Sequence, residues 1–139
     1  MGQRCVIASG IAAWSLVLAA SLGAQPAKPT PRAEAAKLKN PVPSSAASIS
    51  SGQQLFQKYC RFCHGATGAG DSPSAPKDMK PSNLTDDTWD RGSTDGEIFI
   101  VIQEGAGPDY KMKGLKGKIG DQDAWHLVNY VRSLGGVKK

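Results

Sequence analysis

The chain has 139 residues, of which 40% are hydrophobic, 21% charged and 6% aromatic. That length sets one domain and excludes both a multidomain machine and a polytopic membrane protein. Three cysteines are too few for a disulfide scaffold, while a formal net charge of +5 keeps nucleic acid among the partners to weigh.

The chain opens like an export signal, residues 1–24. Arg4 supplies a short positive region, Val6 to Leu22 is an apolar run, and Ser21, Gly23 and Ala24 are small residues suited to cleavage after Ala24, with Gly23 as the alternative. The run sits at the short end of what spans a bilayer, and Ser9, Gly10 and Ser15 weaken it as a permanent anchor. Cys5 precedes the run and leaves with the signal. Residues 25–50 read as a flexible linker. They hold five of the nine prolines (Pro26, Pro29, Pro31, Pro41, Pro43) among Ala, Ser and Lys, with a transient helical turn or two over 33–39.

Residues 51–139 form the expected domain, and it reads as all-α. A first helix runs from about Gly52 to Phe62, capped by Ser50 or Ser51, with Leu55, Phe56 and Tyr59 at helical spacing. A second starts at Thr94, whose partner Glu97 completes a capping box, and stops at Gly105. A third starts with Asp121 as cap, buries Ala124, Leu127, Val128, Val131 and Leu134 along one stripe, and stops at Gly135. Between them lie long loops over 65–93 and 105–120. A small all-α domain with that much loop must wrap around a bound group.

Cys60-Arg61-Phe62-Cys63-His64 is the C-x-x-C-H signature of c-type haem attachment. Two cysteines at this spacing reach the two vinyl groups on one porphyrin edge, and the next residue turns toward the iron. A redox disulfide would want a βαβ context that this sequence lacks. A zinc site would need four ligands, available only from Cys60, Cys63, His64 and the distant His126.

With these residues in place, the chain resembles the small class I c-type cytochromes, in particular bacterial single-haem domains. Gly52, Leu55 and Phe56 precede the motif as in that family's first helix. Gly65, Gly68, Gly70 and Asp71 match its glycine-rich continuation, Pro81 to Asp86 its haem-lining loop, and Leu127, Tyr130 and Val131 its last helix. The resemblance implies a small cytochrome c fold, three to four main helices wrapped around one covalent haem. Cys60 and Cys63 would be the thioether links and His64 an axial iron ligand.

Met112, 48 residues after His64, resembles the family's second axial ligand; Met79, only 15 residues after it, sits in a loop too short to pass around a haem. The neighbourhood Tyr110-Lys111-Met112-Lys113-Gly114 lacks the proline that commonly follows the family's methionine. His126 reads as a solvated helix-surface histidine, and Trp89 and Trp125 as packing groups. The resemblance also implies a carbonyl, from Pro73 or Pro76, that accepts from the non-ligating nitrogen of His64.

The function expected is an exported, periplasmic single-haem electron carrier, with no catalytic residue. Asp95, Glu97, Asp121 and Asp123 are helix-start residues that complement the macrodipole. Alternatives are a haem subunit of a dehydrogenase or terminal oxidase, and an open-site haem enzyme or gas sensor should Met112 not bind iron. The chain would be a monomer or complex subunit, touching the membrane only if residues 1–24 stay uncleaved. Residues 51–139 hold twelve basic and eleven acidic residues, so the positive charge belongs mostly to the leader and linker, and nucleic acid drops away as a partner. Lys111, Lys113, Lys116 and Lys118 surround Met112, while acidic residues crowd 86–104; the lysines read either as a solvated loop or as a docking patch for acidic redox proteins.

Overall fold

Gly52 sets the architecture, because it lets two helices cross almost in backbone contact. The computed structural model describes residues 31–107 and 111–135, and the predicted leader 1–24 lies outside them. Five helices occur there: α1 (Pro31–Ala35), α2 (Ala46–Tyr59), α3 (Arg61–His64), α4 (Asp95–Glu104) and α5 (Asp121–Ser133). Among the described residues no strand forms beyond isolated bridges such as Gly105 with Lys113, and no helix is long and apolar enough to cross a membrane.

The first and last long helices, α2 and α5, cross where Gly52 faces the His126 carbonyl and Tyr130. Around the crossing, Phe56, Leu127 and Val128 are completely buried, and the Phe56 and Tyr130 rings meet at 5.2 Å. Helix α4 joins this pair through Phe99, whose ring stacks on Trp125 at 4.0 Å. Trp125 is therefore a packing residue of the core.

The predicted helices are present, with edges shifted for identifiable reasons. Helix α2 begins six residues ahead of Gly52, capped by Ser45, whose hydroxyl accepts from the Ser48 amide. Ser48 belongs inside because its hydroxyl meets His126 Nδ1 at 2.8 Å and accepts from Asn129 at 2.8 Å. His126 is accordingly a half-buried partner in the α2–α5 contact, not the solvated surface histidine expected. Helix α4 carries the predicted capping box, with Thr94 and Glu97 exchanging hydrogen bonds. Gly120, not Asp121, caps α5; the Asp121 carboxylate is engaged by the Gln103 side chain at 2.9 Å.

The stretch 31–45, expected to be mobile linker, is a strap laid against the domain. Ala35 is buried where its carbonyl approaches Gly96 of α4, and Arg32 reaches the Asp90 carbonyl at 3.2 Å and the Glu97 carboxylate at 3.7 Å. Asn40 donates to Asn129 at 2.9 Å, and Asn129 returns hydrogen bonds to the Val42 and Pro43 carbonyls. Small residues and amides make this contact, so composition alone reads it as linker. The strap meets the Trp125–Asn129 face of α5, while Leu127 and Val131 point the other way, into a cavity.

Candidate haem centre

The loop after α2 turns at Cys60, and the single turn of α3 then separates outward from inward residues. Arg61 and Phe62 face solvent, Cys63 is half-buried and His64 is buried. Gly65 ends that turn at φ +80, a left-handed conformation that glycine adopts without a steric penalty. The chain then folds back, with the Gly70 amide donating to the His64 carbonyl at 2.8 Å and the Leu84 amide to the Gly68 carbonyl at 2.7 Å. Those bonds lay residues 81–84 alongside the glycine-rich loop. The result is that His64 Nδ1 donates to the Ser82 carbonyl at 3.0 Å.

Ser82 thus replaces Pro73 and Pro76 as the support of His64. The close approach of Gly70 to the Pro81 carbonyl brings Ser82 to the ring, while Pro73 and Pro76 lie exposed. A carbonyl only accepts, so the bond fixes the proton on Nδ1 and leaves the Nε2 lone pair available. Burial holds the His64 pKa below its usual 6.5, against the Ser82 carbonyl, which acts in the opposite sense.

Cys60, Cys63 and His64 open onto a cavity of about 620 Å³. It is within the range of roughly 300–1,000 Å³ typical of cofactor sites. Its walls come from every part of the domain: Phe56 of α2, Leu84 and Trp89 of the first long loop, Ile98 and Ile102 of α4, Met112 of the second loop, and Leu127 of α5. Trp89, also on the wall, donates its indole N–H to the Asp86 carbonyl at 3.3 Å.

Met112 is placed by backbone. Its carbonyl accepts from the Ala106 amide at 3.1 Å, and the Leu115 and Lys116 amides cap the last turn of α4 by donating to Ile102 at 2.8 Å and Gln103 at 3.0 Å. Gly114 lies so close to the Gln103 carbonyl that a Cβ there would sit 2.1 Å from it. That backbone arrangement holds the loop without the missing proline. Met79 lines the same cavity, and Asp78 beside it forms an ion pair with Lys111 beside Met112.

These features fit a covalently held haem. Two reduced cysteines and one neutral imidazole share an apolar cavity, with two thioethers, Met79 and Met112, on its wall. Burial pushes the Cys60 thiol up to about 12, with Cys63 adding to the rise. Redox C-x-x-C pairs have the opposite property, a lowered thiol pKa. Zinc ligation fails on number: among the described residues no group of three or more His, Cys, Asp or Glu is placed to hold a metal.

The lysines divide. Lys111, Lys113 and Lys118 line the cavity rim, joined by Lys58 and Lys80, which the sequence reading did not single out. Lys116 turns away to the Glu104 carboxylate at 2.6 Å, and that contact raises its pKa. The acidic stretch is partly neutralised locally, with Asp95 paired to Arg132 at 2.6 Å and Glu97 to Arg32. Ser82 and Gly114 escaped sequence reading because a backbone carbonyl and a close approach leave no side-chain signal.

Residues 47–131 match the family model described as cytochrome c oxidase, cbb3-type, subunit III. The chain belongs to this family. A cbb3-type cytochrome c oxidase subunit CcoP of Rhodobacter capsulatus is 31% identical over 99 residues, covering 68% of this chain and 32% of that protein. Subunit FixP of Bradyrhizobium diazoefficiens is 33% identical over 88 residues, covering 63% of this chain and 28% of FixP. The chain therefore spans about a third of the length of these curated relatives. A reducing HAO-like protein complex of Kuenenia stuttgartiensis superposes with a TM-score of 0.62 at 24% identity, over 72% of this chain and 48% of the other. Cytochrome cL of Methylophaga aminisulfidivorans superposes with a TM-score of 0.54 at 24% identity, over 65% and 57%. The cytochrome c fold and the class I c-type cytochrome assignment follow, with haem c as cofactor and electron carriage as its chemistry.

Proposed function

We propose that this cytochrome domain holds one haem c through Cys60 and Cys63, takes its iron between His64 and Met112, and passes single electrons between exported redox proteins. One observation carries the reading: a single cavity brings both cysteines, the oriented histidine and Met112 together from loops far apart in sequence. When bound, haem iron supplies a one-electron ferric–ferrous couple.

The chain's own residues do the rest. Ser82 fixes the imidazole tautomer and ring orientation, so Nε2 needs no rearrangement between oxidation states. The α4 terminus holds the Met112 loop, which favours a closed sixth position. Phe56, Ile98, Ile102 and Leu127 keep water from the centre. Thioether ligation and a dry wall both raise the potential relative to a solvated bis-histidine site. Lys113 and Lys118 at the rim favour an acidic partner face; Lys111 and Lys116 count for less in that patch because Asp78 and Glu104 occupy them.

The visible spectrum and intact mass of periplasmic material test this reading. Mass should report haem at Cys60 and Cys63 and loss of residues 1–24. Met112→Ala should abolish the Fe–S charge-transfer band, and Met79→Ala should leave it. Rapid carbon monoxide binding to the untouched reduced protein would refute Met112 ligation and favour an open-site haem protein. A second reading, membership of an oxidase complex, is supported by the CcoP and FixP likenesses. Co-purification with a larger membrane assembly distinguishes it from a free carrier.

A further inference from the structure

Lys111, immediately before Met112, forms an ion pair with Asp78, and both residues line the cavity. They come from different walls of it. Asp78 is presented by a turn at 76–79, closed by the Met79 amide donating to the Pro76 carbonyl at 2.9 Å. Four residues after Asp78, the Ser82 carbonyl accepts from His64, so this turn belongs to the segment that supports the histidine. Lys111 belongs to the segment that carries Met112, which hangs from α4. The anchors of that segment lie at Met112 or after it. They are the Met112 carbonyl with the Ala106 amide, Gly114 against Gln103, and the Leu115 and Lys116 amides on the last turn of the helix. Asp78 takes hold on the other side, at the residue before Met112.

We infer that Asp78 and Lys111 are positioning residues, a clasp that ties the Met112 segment to the His64-supporting segment and biases Met112 toward its iron-bound position. This rests on the reading of Met112 as sixth ligand and adds what keeps that ligand in place from its N-terminal side. Exposure sets the size of the effect. The Lys111 and Asp78 side chains are 51% and 69% exposed, so water and salt screen their attraction. An exposed pair of this kind shifts an opening equilibrium by about threefold, too little to hold the fold together but enough to set how often the sixth position opens. It also gives the clasp a signature. At about 1 M salt the screening length falls to about 3 Å, and the attraction fades.

Imidazole binding to the ferric holoprotein tests the clasp, because imidazole enters only where Met112 leaves and its apparent affinity reports the open fraction. At about pH 8 imidazole is neutral, so surface charge does not steer it. In low salt, Asp78→Asn and Lys111→Gln should each tighten imidazole binding about threefold. The double variant should match either single one, whereas independent sites would multiply to roughly ninefold. Wild type should tighten toward the variants as salt approaches about 1 M, while the variants stay level. Lys77→Gln, the same loss of charge one residue from Asp78 but outside the pair, should bind as wild type does. Without imidazole, every variant should keep the Fe–S charge-transfer band and melt with wild type. Equal imidazole affinity in wild type and Asp78→Asn across the salt series overturns the clasp, as does the multiplied effect in the double variant. An equal shift in Lys77→Gln assigns the effect to net charge and overturns it too. A wild-type protein with no Fe–S band overturns Met112 ligation instead.

Discussion

Gly52→Ala tests the crossing of α2 and α5 by the sign of its effect. In an exposed helix interior, alanine is more stable than glycine by about 1 kcal/mol. Here the added Cβ would lie 2.1 Å from the His126 carbonyl oxygen, 2.7 Å from the carbonyl carbon and 2.7 Å from Tyr130 Cβ. An ordinary C···O contact is about 3.3–3.6 Å, so the helices must separate by roughly 1 Å. Overpacking of this kind costs about 1–3 kcal/mol, and the upper end applies because backbone atoms cannot rotate aside. Subtracting the propensity gain leaves ~2 kcal/mol, which for a domain of this size lowers Tm by about 8–16 °C. Phe56 and Leu127 flank the crossing and line the cavity, so the Soret band should change with the melt. Thermal unfolding of the holoprotein, followed by far-ultraviolet circular dichroism and Soret absorbance, measures both. A variant melting at or above wild type would show that the close approach does not exist.

Four further substitutions probe other parts of the same frame. Gly114→Ala places a Cβ against the Gln103 carbonyl and should displace the Met112 loop, weakening the Fe–S band; Gly117→Ala, at φ +79 with open space around it, should cost about 1–2 kcal/mol of backbone strain and keep the band. Glu97→Gln should cost about 1 kcal/mol at neutral pH. Burial opposes the Glu97 charge, but hydrogen bonds from Thr94 and the nearby Arg32 outweigh it and set the pKa below 4.5. That stabilisation is complete above 4.5 and lost as pH falls through the lower folded value, so the difference in Tm should close in acid. A gap constant down to pH ~2 would remove the ion-pairing argument. Asn129→Ala strips buried partners from Asn40, Ser48 and the Val42 and Pro43 carbonyls, at about 1–3 kcal/mol. It should also speed proteolysis within 31–45; an unaltered cleavage rate would show that the strap is held elsewhere.

What could be read in the sequence follows from the range of the forces involved. Local signals were legible: the Thr94–Glu97 box is a bond between residues three apart, and the pentapeptide from Cys60 to His64 is one turn of chain. Apolar spacing found Leu127 and Val131 for the same reason. Long-range decisions were not legible. Ser82 supports His64 because glycines at 68 and 70 let another loop approach, and no side chain announces that. Asp121 looked like a cap until Gln103, 18 residues earlier, claimed its carboxylate. The strap resembled linker because Ala35, Asn40 and Gly96 bury little apolar surface and rely on fit and amide pairing.

The crossing of α2 by α5 also orders events in time. Ser48 and His126, bonded across it, are 78 residues apart, so the contact forms only once the chain has been made through His126. A growing chain presents Cys60 and Cys63 before it possesses the wall that Leu127 and Val131 later provide. During that interval both thiols stay accessible, because the apolar wall that later covers them is still missing. Arrival of the last helix then supplies that wall and closes the cavity.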